Sequence, residues 1–188
     1  WGANGSGQLG AASPMMSATP MRVGALDDAV DLGVGAAHAC AVRSDGTVTC
    51  WGSNAFGKLG DGSVENRPTP AIVPGVTDAR RVSLGRNHSC ALLTTGGASC
   101  WGWNRSGQLG DGTMADRRTP VPVTSLLDAV EIAVGDSHTC VARSDGTLLC
   151  WGDNTEGQLG DDSRIPSAMP TIIDMLPPVP PMNGFAAG

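Results

Sequence analysis

The chain has 188 residues, and its 40% hydrophobic content with 27 glycines suits a packed, turn-rich domain rather than a disordered segment. Eighteen acidic and twelve basic residues give a net charge of −6, which argues against nucleic acid as the main partner because that binding needs a concentrated basic surface. No apolar run approaches the roughly 18 residues of a membrane helix, so we expect no membrane span.

A period of fifty residues dominates the sequence. The stretches WGANGSGQLG, WGSNAFGKLG, WGWNRSGQLG and WGDNTEGQLG begin at Trp1, Trp51, Trp101 and Trp151. Glycine and histidine residues recur at the same interval, without insertions, in three periods, so that an aligned position holds the same residue type; these residues are Gly35, Gly85, Gly135, His38, His88 and His138. Such a period is typical of solenoids and propellers. We therefore predict one domain over residues 1–188, with repeat units 1–50, 51–100, 101–150 and an incomplete or divergent 151–188.

Four short strands are predicted within each period. In the first, apolar alternation and β-branched residues indicate strands at 19–23, 29–35, 38–42 and 47–51, the last two joined by Ser44-Asp45-Gly46. Four strands in fifty residues match one propeller blade. The chain has no tyrosine and no Trp-Asp dipeptide, which disfavours the kelch and Trp-Asp repeat types. The fold is predicted to be all-β.

The hairpin at 38–52, HACAVRSDGTVTCWG, has two cysteines ten positions apart. If residues 44–46 form a three-residue loop with Gly46 in the left-handed position, counting outward pairs Cys40 with Cys50. Such a non-hydrogen-bonded pair has Cα atoms about 4.5 Å apart, at the short edge of the disulfide range. The same count in each period predicts three disulfides, Cys40–Cys50, Cys90–Cys100 and Cys140–Cys150.

Two other chemistries remain open for these cysteines. His38 lies on the same strand face as the 40/50 pair, so each period offers three zinc ligands, although no fourth ligand recurs. A redox pair would need Cys-x-x-Cys at a helix start, which is missing. Local pairing of all six cysteines favours disulfides, with no metal and no cofactor. Disulfides persist in oxidising compartments, so we expect a secreted, periplasmic or cell-surface protein.

The remaining polar columns indicate structural roles. A catalytic base is needed once per site, whereas these histidines occur once per period, and neither a Ser-His-Asp set nor a carboxylate pair stands out. We therefore expect no enzyme activity. An aspartate that follows three of the four Gly-x-Leu-Gly stretches suits a turn cap better than a calcium ligand; these residues are Asp61, Asp111 and Asp161.

The order Gly-x-x-His, Asp-Gly, Trp-Gly-x-Asn-x-x-Gly-Gln-Leu-Gly resembles the regulator of chromosome condensation repeat. Its clearest copy runs from Gly135 through His138, Gly146 and Trp151 to Gly160. The resemblance implies blades of four antiparallel strands, normally seven in a closed ring. It predicts a partial β-propeller of about four blades, part of a seven-bladed ring, in a bacterial-type secreted member with disulfides inside its blades.

The ends of the chain do not complete a ring. The first period begins at its tryptophan, and after Pro170 the segment TIIDMLPPVPPMNGFAAG leaves the repeat pattern. This Pro-rich tail is either a cap or a truncated blade, with residues 185–188 aligned to the strand that ends at Gly35. An open arc leaves sheet faces uncovered. We expect them to contact the remaining blades of a parent propeller or a second copy.

Function is expected in positions that vary among the periods. Two positions differ freely among the periods, namely the residue directly after each Trp-Gly and the pair that follows the next asparagine. These positions include Phe56, Trp103 and Arg105. These residue types are enriched at interface hot spots. The leading hypothesis is a non-enzymatic scaffold that binds a protein partner on this rim, although Phe56 and Trp103 alternatively cover a seam between blades.

Two other functions remain open from the resemblance. One is an accessory or targeting propeller of a larger secreted enzyme. The other is guanine-nucleotide-exchange-like binding to a small GTPase, although the loops that such binding requires have no match in this chain.

Overall fold

The computed structural model describes residues 1–24 and 26–173, and the Pro-rich tail with the 185–188 alignment lies outside them. Three four-stranded antiparallel sheets and one two-stranded sheet follow one another along the chain. Fourteen strands form them: β1 (Gly2–Ala3), β2 (Met16–Ser17), β3 (Ala29–Val34), β4 (His38–Arg43), β5 (Val48–Gly52), β6 (Arg67–Ile72), β7 (Ala79–Leu84), β8 (His88–Leu93), β9 (Ala98–Gly102), β10 (Arg117–Pro122), β11 (Ala129–Val134), β12 (His138–Arg143), β13 (Leu148–Gly152) and β14 (Ser167–Ile172).

The all-β partial propeller predicted from the repeat is confirmed. Strands β3 to β6, β7 to β10 and β11 to β14 each form one blade with strands in sequence order. The first strands β3, β7 and β11 contact one another from blade to blade and lie on the inside of the arc. Strands β1 and β2 form the only part of a fourth blade among the described residues.

Three of the strands predicted in the first period agree with the structure within about one residue, and the fourth is wrong. The strand expected at 19–23 is absent, and β2 covers only Met16 and Ser17. In the next blade, β6 continues because Ile72 pairs with Thr49 and Ala71 pairs with Cys50. The corresponding partners of residues 21 and 22 would precede Trp1, so the ladder stops after two pairs.

The hairpin register between β4 and β5 is the one predicted. The amide of Gly46 donates to the carbonyl of Arg43 and Gly46 has φ 80°, which makes a type I turn with a bulge. Cys40 then lies opposite Cys50, and the same register recurs in the other two blades. All three disulfides form, with Cα separations of 4.0, 4.1 and 4.1 Å. The zinc and redox alternatives therefore fail, because no free cysteine remains.

The first two disulfides each pack into the seam between their own blade and the next. Cys40 and Cys50 lie in one apolar cluster with Val82 and Leu84 of β7 and with Trp101 of β9. The cluster around the second disulfide likewise includes β11 and β13. Apolar burial between sheets is thus the main packing interaction, at roughly 25 cal/mol for each Å² removed from water.

The first blade lacks a complete neighbour on its other side. Leu32 and Val34 of β3 are 61% and 70% exposed, whereas the equivalent Val82 and Leu84 of β7 are both 7% exposed. The difference arises because β7 packs on the preceding blade, while the two-stranded sheet has no inner strands to cover β3.

One side of the arc carries the longer loops, and we call this side the loop rim. Because successive strands are antiparallel, the turn after the first strand and the loop after the third strand of each blade meet on the same side. The loop rim therefore comprises residues 35–37, 53–66, 85–87, 103–116, 135–137 and 153–166. No helix among residues 1–24 and 26–173 is long and apolar enough to cross a membrane.

Replacing Cys90 and Cys100 together by Ser should lower the free energy of unfolding by about 2.5 to 3 kcal/mol. The bridge closes a short loop in the unfolded chain and so limits its conformational entropy. Urea unfolding of the oxidised variant and the wild-type chain measures the difference. Wild-type stability that is unchanged by a reducing agent would contradict the stabilising role of the bridges.

Candidate functional site

The three residues expected at a binding rim lie on two neighbouring loops. Phe56 follows β5 and Trp103 follows β9, and their ring centroids are 6.3 Å apart with planes tilted by 47°. The aromatic pair thus bridges the seam between the first two four-stranded blades. Phe56 is 44% exposed and Trp103 is partly buried. The pair therefore covers the seam and also presents apolar surface to solvent.

Arg105 lies two residues beyond Trp103 and extends into solvent. Its side chain is 73% exposed, and its Nε lies 3.9 Å from the Oδ1 of Asp116. An exposed ion pair at this distance contributes little to stability. The guanidinium is consequently available to another molecule.

Lys58 organises the seam next to the aromatic pair. It is only 3% exposed, and its Nζ donates to the carbonyl of Arg86 and to the Oδ1 of Asn87, both at 3.2 Å. The carbonyl of Asn87 in turn accepts from the backbone amide of Trp103. Burial, followed by the charge of Arg86, lowers the pKa of Lys58. A buried ammonium therefore lies close to the surface that Trp103 and Phe56 form.

Lys58 also departs from the repeat. The other periods have glutamine in this column, and each glutamine Oε1 accepts from the backbone amide two residues earlier; the glutamines are Gln8, Gln108 and Gln158. A lysine ammonium has no acceptor, so this bond is lost at Phe56. Phe56 adopts φ 64° and ψ 10°, in the left-handed region that non-glycine residues rarely enter. Such strain tends to cluster at functional sites.

Two of the three histidines, His38 and His88, connect neighbouring blades. The Nε2 of His38 lies 2.9 Å from the Oγ of Ser89 in the next blade, and this hydroxyl donates to the carbonyl of Lys58. The same carbonyl accepts from the Nε1 of Trp101. Because the serine hydrogen is already used, Nε2 of the imidazole must be the donor. The next seam repeats the pattern with His88, Thr139, Gln108 and Trp151.

This arrangement is structural rather than catalytic in geometry. A general base would accept the serine proton, whereas His38 donates a proton to Ser89. The Nδ1 atoms of His38 and His88 are buried and have no hydrogen-bond partner among residues 1–24 and 26–173. A side chain at Gly85 would lie 2.3 Å from the carbonyl of Gly135 and 2.8 Å from the imidazole Cε1 of His88, so only glycine fits over the ring.

Burial keeps these imidazoles uncharged. Desolvation, with a smaller effect from Lys58, lowers the pKa of His38 to about 3. Desolvation, with a smaller effect from His138, lowers the pKa of His88 to about 3. Desolvation also lowers the pKa of His138, against the opposing charges of Asp153 and Asp136.

The aspartates of the Gly-x-Leu-Gly loops are turn caps. Oδ1 of Asp61 accepts from the amide and hydroxyl of Ser63, and Oδ2 accepts from the Nε of Arg67. Burial alone would raise the pKa of Asp61, but hydrogen bonds from Ser63, Arg67 and Asn54 lower it. The carboxylate of Asp61 accepts four hydrogen bonds in all, from Asn54, Ser63 and Arg67, and no cluster suited to a metal ion occurs in the described part of the chain.

Sequence reasoning named Phe56, Trp103 and Arg105 but missed Lys58 and Asn87. The signal for Lys58 was present, because it is the only lysine of the chain and replaces glutamine in an otherwise constant column. Asn87 carried no such signal, since its column reads Ala37, Asn87 and Ser137. Only the contact between two blades identifies its role.

Family models for the regulator of chromosome condensation (RCC1) repeat match the chain over most of its length. One matches residues 29–58, 79–108 and 129–158, and the other matches 45–92, 96–142 and 145–188. No curated protein matches the sequence.

Solved structures agree in fold at low sequence identity. Human WBSCR16 is 22% identical with a TM-score of 0.80, over 93% of this chain and 47% of that one. Yeast RCC1 (Prp20) bound to Kap60 is 20% identical with a TM-score of 0.81, over 93% of this chain and 44% of that one. A structure of Prp20p from Saccharomyces cerevisiae gives 21% identity and a TM-score of 0.79. The chain thus spans less than half the length of these proteins.

Replacing Lys58 by Gln should stabilise the protein by about 1 kcal/mol, because the loop regains its glutamine bond and Phe56 leaves the left-handed region. The reciprocal variant Gln108→Lys introduces a buried ammonium and removes the bond to Ser106, so it should destabilise the next seam. Urea unfolding midpoints of the two variants measure both effects. Equal midpoints for Lys58→Gln and wild type would contradict the assignment of strain.

Stability should decrease as the pH falls from about 6.5 towards 5. The unfolded histidines titrate near 6.5, whereas His38 and His88 stay neutral when folded until about pH 3. The unfolded state therefore binds more protons in this range, by up to about two for this pair, and acidification favours unfolding. Urea unfolding at several pH values measures the slope, and His88→Gln should reduce it. A flat profile would contradict the neutral buried state.

Proposed function

Because the chain belongs to the regulator of chromosome condensation repeat family, we propose that it is a non-enzymatic scaffold whose loop rim binds a protein partner. The observation that carries this proposal is the exposed Phe56–Trp103 pair across one seam. Aromatic side chains supply large contact areas at interfaces, and Trp and Arg are enriched at hot spots.

The contrast between constant and variable columns supports the loop rim as the binding surface. The asparagine in each rim loop is buried and bonds to its own loop, as Asn54 does through Leu59 and Asp61. The variable positions beside it face outwards, including Arg105 and Thr155. Loops on a rigid β scaffold can change without loss of the fold, which suits them to recognition.

Local departures from the repeat support this seam as the binding site. Lys58 breaks the glutamine column, and Phe56 has a left-handed backbone in the same loop. Natural proteins keep such unfavourable features mainly where function requires them. One of the relatives, yeast Prp20, is described by its binding to other proteins: one structure has it bound to Kap60, and another is described together with its binding to Gsp1p and histones.

The disulfides and the open blade face add two further proposals. Three bridges with no free cysteine suit an oxidising compartment, which supports the proposal of a secreted, periplasmic or cell-surface location. The exposed Leu32 and Val34 suit contact with a further blade of a seven-bladed ring or with a second copy.

A photo-crosslinking residue placed at Arg105 should capture the partner, whereas the same residue at Thr155 should not. Mass spectrometry identifies the captured protein, and its purified form is then titrated against variants. Phe56→Ala with Trp103→Ala should weaken binding by about 100-fold or more, because two aromatic anchors are lost.

Ile165→Ala is the matched control for this titration. Ile165 is a large apolar residue, 73% exposed, on the rim loop of the third four-stranded blade. Its loss should leave the affinity unchanged. Equal affinity of the aromatic double variant and the wild type for the purified partner would remove the proposed rim site.

A further inference from the structure

The aromatic pair lies within a basic region of an otherwise acidic protein. We define the basic–aromatic patch by five residues, Phe56, Arg86, Trp103, Arg105 and Arg118. All three arginines are exposed. The net charge of the chain is −6, so this concentration of positive charge is local and opposite in sign to the whole.

Contacts across the first seam bring these residues together. Gly57 packs on Arg118 so closely that a Cβ there would lie 2.7 Å from the arginine Cα. Arg86 and Trp103 are connected through Asn87, which follows Arg86 and accepts from the amide of Trp103. The patch therefore runs from the inner turn of the second four-stranded blade to its outer strand β10, with the aromatic pair between.

The positive charges of the patch are largely unneutralised. Within residues 1–24 and 26–173, neither Arg86 nor Arg118 has a carboxylate at ion-pair distance. Arg105 has only the distant contact with Asp116. The buried ammonium of Lys58 also has neutral acceptors alone, the carbonyl of Arg86 and the amide oxygen of Asn87.

The next blade has the opposite character at the same positions. Asp136 replaces Arg86, Asp153 replaces Trp103, Thr155 replaces Arg105 and Ala168 replaces Arg118. The repeat therefore does not require positive charge in these columns. Positive charge and aromatic residues are thus concentrated in the basic–aromatic patch, whereas Asp136, Asp153 and Glu156 lie on the rim of the third four-stranded blade.

We propose that the basic–aromatic patch binds an acidic protein segment that carries an apolar or aromatic anchor. The anchor would contact Phe56 and Trp103, and carboxylates beside it would pair with Arg86, Arg105 and Arg118. This inference rests on the proposed protein-binding function and specifies its partner by charge. Charge complementarity of this kind favours encounter and excludes partners of the wrong sign.

The shape of the charge distribution favours a protein segment over a nucleic acid. A phosphate backbone requires a basic track over several nucleotides. Here the positive surface ends at the seam with the third four-stranded blade, where Asp136 and Glu156 are exposed. A short acidic segment fits this limited patch, while a longer polyanion meets repulsion on the adjacent blade.

Three fluorescein-labelled peptides test the proposal, each with the same Phe-Leu centre flanked by glutamate, glutamine or lysine residues. Fluorescence anisotropy of each peptide is measured as the 188-residue chain is added. The glutamate peptide should bind about tenfold more tightly than the glutamine peptide. The lysine peptide should bind most weakly. Added salt should reduce the preference, because these charges are exposed to solvent.

Arg86→Gln with Arg118→Gln should remove most of the preference for glutamate without loss of the fold, since both side chains are exposed. The matched control is Arg22→Gln with Arg164→Gln, which removes the same two positive charges from exposed arginines outside the patch. This control should retain the preference. An equal loss of the glutamate preference in both variants would mean that the preference depends only on the net charge of the chain. That result would overturn the proposed patch.

Other results separate this inference from the proposed function. Equal binding of the glutamate and glutamine peptides would overturn the charge preference; the aromatic site would still stand if Phe56→Ala with Trp103→Ala abolished that binding. Absence of binding by all three peptides would overturn the inference, while the crosslinking experiment tests the rim independently. Tighter binding of a single-stranded oligonucleotide than of the glutamate peptide would overturn it in favour of nucleic acid.

Discussion

The first two four-stranded sheets of this protein each pack the face that carries the disulfide against the next sheet. Cys40 and Cys50 are fully buried in one cluster with Val82, Leu84 and Trp101 of the next blade. On the side of the first four-stranded sheet where the preceding blade is incomplete, Leu32 is exposed, whereas the equivalent Val82 of the next sheet is buried. The disulfides stiffen each sheet, and apolar contact between sheets assembles the arc.

Polar bonds give these apolar seams a fixed register. His38 donates to Ser89, which donates to the carbonyl of Lys58 together with Trp101. A neutral imidazole can be buried here because its Nε2 hydrogen is satisfied, although its Nδ1 has no partner. His38 and His88 thus have the same structural role in two successive seams.

The two complete seams share this framework but differ at the loop rim. In the first, Lys58 replaces glutamine, Phe56 takes a left-handed backbone, and exposed arginines surround the aromatic pair. In the second, Gln108 keeps its loop bond and the neighbouring rim positions are acidic or small. A shared scaffold with one divergent seam is the arrangement expected if recognition occurs there.

The sequence by itself determined the repeat, the hairpin register and the disulfides. Once residues 44–46 are taken as a three-residue loop with Gly46 in the left-handed position, counting residues places Cys40 opposite Cys50, as the structure has it. The columns also identified Phe56, Trp103 and Arg105 as variable. Only the tertiary structure decided that Phe56 contacts Trp103 and that Arg118 joins the same patch, because these residues lie on different blades. Contacts between blades depend on how sheets stack, and the order of residues within one blade does not encode that geometry.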